Sequence, residues 1–82
     1  MIVYLKPVSG SAKDNLGRAK VEMERAIGFR GTITGARAQG NRIAVTIEIS
    51  PQWDLPEAEK VLNLEEWIRA KTRTIFRVQS IK

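Results

Sequence analysis

The segment RIAVTIEI, residues 42–49, restricts the fold more than any other stretch of this chain. Its apolar side chains at positions 43, 45, 47 and 49 alternate with small or polar ones, which is the period of a β-strand with one buried face. Such a strand needs partner strands for its backbone hydrogen bonds and a second layer to cover its apolar face. The rest of the sequence has to supply both.

Three other segments predict the partner strands. The Gly-Asn pair at 40–41 predicts a β-turn, so residues 31–38 form the weaker partner strand of a hairpin. The β-favouring residues of segment 1–8 predict a first strand that ends at Pro7. Residues 73–82 predict a last strand, with Phe76 and Val78 on one face and Arg77 and Gln79 on the other.

Residues 12–27 predict the first helix. Their apolar positions recur every three or four residues and form one stripe: Ala12, Leu16, Ala19, Met23, Ala26 and Ile27. We expect Ser9 or Ser11 to cap the start of this helix and Gly28 to end it.

Residues 55–72 predict a second helix. Asp54 and Glu57 have the spacing of a capping box, and Asn63 predicts a kink or a restart within the helix. Trp53, just before the predicted cap, could pack as a hydrophobic staple or serve as an interface anchor, and packing is the preferred interpretation. Trp67 is expected in the core.

The predicted order β-α-β-β-α-β is that of an α+β, ferredoxin-like fold, in which two helices cover one face of a four-stranded antiparallel sheet. A chain of 82 residues forms one domain, 1–82, because a second domain could not bury its own core. The other face of the sheet stays open.

Composition restricts the function. Without Cys or His there can be no thiolate nucleophile, imidazole base or Cys/His zinc site, and we expect no enzyme activity, metal or cofactor. No apolar run approaches the length of a membrane span, which favours a cytoplasmic protein without a membrane partner.

The formal net charge of +5 divides into +5 for residues 1–42, −5 for 43–68 and +5 for 69–82. Such segregated charge suits an anionic partner.

Basic residues on the predicted strands give the candidate site on the open sheet face. The site comprises Tyr4, Lys6, Arg37, Arg42 and Arg77. Its predicted partner is a nucleic-acid backbone, bound with low specificity, or an acidic protein surface.

RNA-recognition domains share the predicted element order and stack bases on aromatic residues of their first and third strands. Tyr4 fits the first-strand position, whereas the third strand, residues 42–49, holds no aromatic. The sequence therefore favours contacts to the backbone over stacking of bases.

Two alternatives remain open. One is a small protein–protein inhibitor or accessory factor, of the kind that phages and other mobile elements encode, anchored by Trp53 and the loop around it. The other is a subunit of a homo-oligomer, with a homodimer as the simplest form, assembled through an exposed sheet edge.

Overall fold

The computed structural model describes all residues, 1–82. Its elements follow the predicted order β-α-β-β-α-β, with one short 3-10 turn, Gly28–Arg30, after the first helix. They are β1 (Ile2–Pro7), α1 (Leu16–Ile27), β2 (Gly31–Gln39), β3 (Arg42–Ile49), α2 (Glu57–Thr72) and β4 (Phe76–Ile81).

The four strands form one antiparallel sheet in the order β2-β3-β1-β4. This confirms the predicted α+β class, and it confirms the hairpin, in which Gly40 has a φ of 60°. β1 and β3 lie in the centre, while β2 and β4 are the two edges. The helices pack against each other, with α1 also contacting β2 and α2 contacting β4.

The hydrophobic core lies between the sheet and the two helices. Alternate residues of the central strands point into it, so Val3 and Leu5 of β1 are fully buried together with Ile43 and Val45 of β3. The predicted stripe of α1 meets them, and only Leu16 of that stripe is partly exposed. The two periodicities of the sequence, two and 3.6, therefore fix which side of each element is buried.

The start of α1 differs from the prediction. Residues 12–15 form a turn, and the α-helix begins at Leu16. The side-chain amide of Asn15 donates to the carbonyl oxygens of Ser9 at 3.0 Å and Ser11 at 2.7 Å, and the Ser11 hydroxyl accepts from the backbone N–H of Asp14 at 3.0 Å. These local bonds give the backbone an alternative to the helical pattern. The predicted end at Gly28, with φ 55°, is confirmed.

Two predictions for α2 are wrong. Its N-cap is Pro56, no side chain caps its first turn, and Asp54 lies two residues too early to do so. The helix also runs without a break through Asn63, whose side chain accepts a hydrogen bond from Arg30 Nε at 3.1 Å and does not cap a turn. Neither helix is long and apolar enough to span a membrane.

Candidate anion-binding surface

The sheet face away from the helices, called the open face below, is organised by the strand register. Tyr4 of β1 lies between Ala44 of β3 and Ser80 of β4, and Arg37 of β2 lies on the other side of Ala44. The four side chains therefore form one row across all four strands. Because Ala44 and Ser80 are small, the Tyr4 ring projects beyond the side chains on either side of it.

A second row lies nearer the hairpin turn. Lys6 of β1 is paired with Arg77 of β4, and Arg42 of β3 is paired with Gln39 of β2. Together the two rows contain every predicted residue of the basic site: Tyr4, Lys6, Arg37, Arg42 and Arg77. Residues that are far apart in sequence thus share one face.

The sequence prediction missed Lys82, which also belongs to the open face. Its backbone exchanges two hydrogen bonds with Ile2, of 2.7 and 2.8 Å, and its Nζ lies 5.7 Å from the centre of the Tyr4 ring. Strict alternation along β4 would turn Lys82 toward the helices. A register shift at Gln79 changes the phase instead, so that Ser80 faces Tyr4 and Ile81 faces Val3.

The charge of the open face is unbalanced. It carries five cations, namely Lys6, Arg37, Arg42, Arg77 and Lys82, whereas Glu48, opposite Thr32 at the far end of β3, is its only acid. None of the five cations forms a salt bridge. All three salt bridges of the protein lie within the helices: Arg25–Glu22, Lys60–Glu57 and Arg69–Glu65.

Neutral neighbours hold two of the arginines in place. The guanidinium carbon of Arg42 lies 4.2 Å from the centre of the Tyr4 ring, within the range of a cation–π contact. Arg37 donates through Nη2 and Nε to the side-chain oxygen of Gln39, at 2.8 and 3.0 Å, when that amide is oriented with its oxygen toward Arg37. Both arginines make these contacts without pairing with a carboxylate.

The surface around these cations is shallow. A depression on the open face is lined by Ile2, Gly35, Ala36, Arg37, Ala44 and Thr46. A groove at the β4 edge is lined by Arg69, Arg73 and Arg77, so the basic surface continues around that edge. Three inter-strand spacings give the face a width of about 14 Å, which suits an extended chain better than a compact small molecule.

Trp53 lies outside the open face, in a second group of residues called the Arg30 cluster: Phe29, Arg30, Trp53 and Trp67. The Arg30 guanidinium carbon lies 4.7 Å from the ring centre of Phe29, 5.8 Å from Trp53 and 4.5 Å from Trp67. Phe29 and Trp53 meet edge to face, with ring centres 6.2 Å apart. Trp53 is half-buried and packs against the margin of the core.

The prediction that Trp67 lies in the core is wrong. Its residue is 36% exposed, and Leu64 and Ile68 fill the core from α2 instead. Phe29 is 70% exposed, so the Arg30 cluster presents two aromatic rings to solvent. The signal in the sequence was the pair Phe29-Arg30 directly after the helix-ending Gly28. These residues form a 3-10 turn, from which Arg30 contacts Trp67 and Asn63 of α2 and Phe29 contacts Trp53.

No group of three or more His, Cys, Asp or Glu side chains comes together in the structure. No protein-family model, curated protein or solved structure matches the chain. Function is therefore inferred from the geometry and charge of the open face and the Arg30 cluster.

Proposed function

We propose that this protein is a non-enzymatic module that binds nucleic acid through the phosphate backbone, with the open face as the binding surface. One observation carries the proposal: cations from all four strands lie on one sheet face with a single acid and without any salt bridge. Phosphates along a strand would supply the missing negative charge and release their counterions.

The arrangement of the open face costs stability, which supports a role in binding. Lys6 and Arg77 lie directly opposite each other, and like charges at such positions destabilise a sheet. Charged residues on an edge strand can also prevent aggregation. That explanation covers Arg37 and Arg77 on the edge strands but not Lys6 and Arg42 in the two central strands.

A polyanion fits the open face better than an acidic protein does. Stable protein interfaces have an apolar or aromatic centre that is fully buried on binding. Among the large hydrophobic side chains that the protein exposes, Phe29 and Trp67 belong to the Arg30 cluster, Val21 and Leu62 lie on the helices, and Val8 directly follows β1. The open face offers only Tyr4 and Ile2 at its centre, so charge has to dominate the affinity.

We also propose that the architecture is the ferredoxin-like, split β-α-β form. The strand order, read from the β4 edge as β4-β1-β3-β2, together with the packing of both helices on one face, supports this assignment. The assignment matters for function because it explains why a whole sheet face is left free of helices.

The test measures binding of a labelled single-stranded oligonucleotide of about 20 nucleotides by fluorescence anisotropy. The double variant Lys6→Ala/Arg77→Ala removes two open-face cations. Its matched control, Arg18→Ala/Lys20→Ala, removes two exposed cations of α1, and each variant lowers the net charge from +5 to +3. At about 1 kcal/mol per exposed contact, the open-face variant binds roughly 30-fold more weakly than wild type. Equal losses in the two variants would mean that only net charge matters.

The Arg30 cluster favours a second function, that of a small protein–protein inhibitor or accessory factor. Tryptophan and arginine side chains dominate the energetics of protein interfaces, and here Arg30 stacks among three aromatic rings. Arg30 forms no salt bridge, and its Nε donates to the neutral amide of Asn63. Phe29→Ala tests this function, because an exposed ring contributes little to folding. It should abolish capture of a protein partner while leaving the melting temperature within a few degrees of wild type.

Two other expectations stay predictions. A homo-oligomer would use the unpaired edge of β2 or β4, and light scattering over a range of concentrations measures its formation. A cytoplasmic location is retained as part of the proposal, and fractionation of the producing cell tests it.

A further inference from the structure

Two cations lie at positions diagonal to Tyr4 on the neighbouring strands. Arg42 lies two residues from Ala44 along β3, toward the hairpin turn, and Lys82 lies two residues from Ser80, in the opposite direction. Diagonal neighbours across a sheet are within reach of long side chains. The guanidinium carbon of Arg42 lies 4.2 Å from the ring centre, and the Lys82 Nζ lies 5.7 Å from it.

Tyr4 is also the only aromatic residue on the open face. Phe76 lies in the core, and the three remaining aromatic residues belong to the Arg30 cluster. A nucleic-acid strand on this face would therefore find one ring, with cations already beside it. RNA-recognition domains stack a second base on their third strand, whereas here the β3 residue opposite Tyr4 is Ala44 and β3 has no aromatic residue.

The cation–π contacts at Tyr4 offset much of the affinity that a stacked base would add. Stacking one base on a ring strengthens binding by roughly 5- to 150-fold. Each cation–π contact at an exposed site accounts for about 2- to 5-fold, so displacing both costs about 5- to 30-fold. The base would thus lose much of its gain, and the displaced cations would also leave their positions for phosphate contacts.

We propose that Tyr4 is a positioning residue, which holds Arg42 and Lys82 for contacts with phosphates and does not stack a base. This inference rests on the proposed function and deepens it, because the ligand is then any nucleic-acid strand, recognised through its phosphate backbone alone. Base identity, and even the presence of a base, does not matter for binding.

The experiment compares two labelled probes of equal length: an oligothymidylate of about 20 nucleotides and an abasic oligomer with the same number of phosphates. Each is titrated with wild type, Tyr4→Phe and Tyr4→Leu. Tyr4→Phe keeps the ring, and Tyr4→Leu keeps an apolar side chain without it. Circular dichroism establishes that each variant is folded at the temperature of the titration. The slope of affinity against salt is recorded as well, since a purely structural role would not change it.

We expect wild type to bind the two probes with affinities within about threefold of each other, since both carry the same phosphates. Tyr4→Phe should match wild type. Tyr4→Leu should bind both probes about 5- to 30-fold more weakly, with a shallower salt dependence, because the two cations are no longer held.

Three results would overturn the inference. Weak binding of the abasic probe, with Tyr4→Leu affecting only oligothymidylate, would make Tyr4 a stacking residue. Unchanged affinity of Tyr4→Leu for both probes would remove any role of the ring. Failure of wild type to bind either probe at low salt would reject the proposed function itself, a result distinct from the other two.

Discussion

Replacing Gly31 by Ala is expected to destabilise the fold, although the substitution adds only one methyl group. Gly31 begins β2 and is paired with Ile49 of β3. A Cβ atom at this position would lie 2.7 Å from the backbone oxygen of Glu48 and 3.2 Å from Cγ2 of Ile47. Carbon atoms in contact are normally about 3.5–4.0 Å apart. The nearest atom belongs to the backbone of β3, which is paired with β2 at this point, so it cannot move away without disturbing that pairing.

The magnitude follows from two opposing effects. Overpacking a rigid site costs about 1–3 kcal/mol. Alanine also reduces the conformational freedom of the unfolded chain, and this effect stabilises the folded state by about 0.4–1 kcal/mol. The net loss in the free energy of unfolding is therefore about 1–2 kcal/mol, which lowers the melting temperature of a domain of this size by roughly 5–15 °C.

Gly35→Ala is the matched control for this prediction. Gly35 lies in the same strand, does not have a positive φ, and has no atom within 4 Å of the position that a Cβ would take. Its replacement should leave stability unchanged or raise it by up to about 1 kcal/mol. Thermal and denaturant unfolding, followed by circular dichroism, measure both variants. Equal melting temperatures for the two variants would refute the close approach of β2 to β3 at Gly31.

Three further substitutions test individual contacts. Asp54→Ala should change the free energy of unfolding, measured by chemical denaturation, by less than about 0.5 kcal/mol, because Asp54 does not cap α2. A loss of about 1 kcal/mol would instead show that Asp54 is a cap. Asn63→Ala should lower the free energy of unfolding by about 1 kcal/mol, because it removes the acceptor of the part-buried hydrogen bond from Arg30. It should also alter tryptophan fluorescence, and unchanged unfolding and emission would count against that contact. Thr72→Val should lower stability by about 0.5–1.5 kcal/mol in the same assay, because the buried Thr72 hydroxyl donates to the carbonyl oxygen of Ile68 at 2.6 Å, and an unchanged midpoint would contradict that bond.

The strands and the buried stripe of α1 were predictable from the sequence because each depends on a repeating pattern that several residues share. The alternation of residues 43–49 and the spacing from Ala12 to Ile27 each specify one buried face. The side of the sheet on which Tyr4 and Lys6 lie follows for the same reason. Once the phase of β1 is known, Tyr4 and Lys6 have to point away from the core. Arg37 reaches the same face only because of a register shift between Ile33 and Gly35 in β2.

Features that depend on one side chain or on one backbone irregularity were not predictable from such repeating patterns. The side chain of Asn15 bonds to two carbonyl oxygens and delays the start of α1, although the apolar stripe extends further back. Pro56, rather than Asp54, takes the N-cap of α2. The irregularity at Gln79 shifts the phase of β4 by one residue and brings Lys82 to the open face. No repeat in the sequence marks any of these three positions.

Trp67 illustrates a different limit. Its spacing from Leu64 fits a buried helical face, and its size favours burial. Leu64 and Ile68 fill the core from α2 instead, and the Arg30 guanidinium carbon lies 4.5 Å from the ring centre of the partly exposed Trp67. Contact between a residue of the 3-10 turn and one of α2 is set by the tertiary fold, which local sequence patterns do not describe.

The salt dependence of nucleic-acid binding tests the central claim most directly. For single strands, the slope of log affinity against log salt is about −0.7 for each phosphate neutralised. Contacts from all five open-face cations would therefore give wild type a slope of about −3.5, and Lys6→Ala/Arg77→Ala a slope shallower by about 1.4. The α1 variant Arg18→Ala/Lys20→Ala should keep the wild-type slope. A change in slope for the α1 variant equal to that for the open-face variant would contradict binding by the open face.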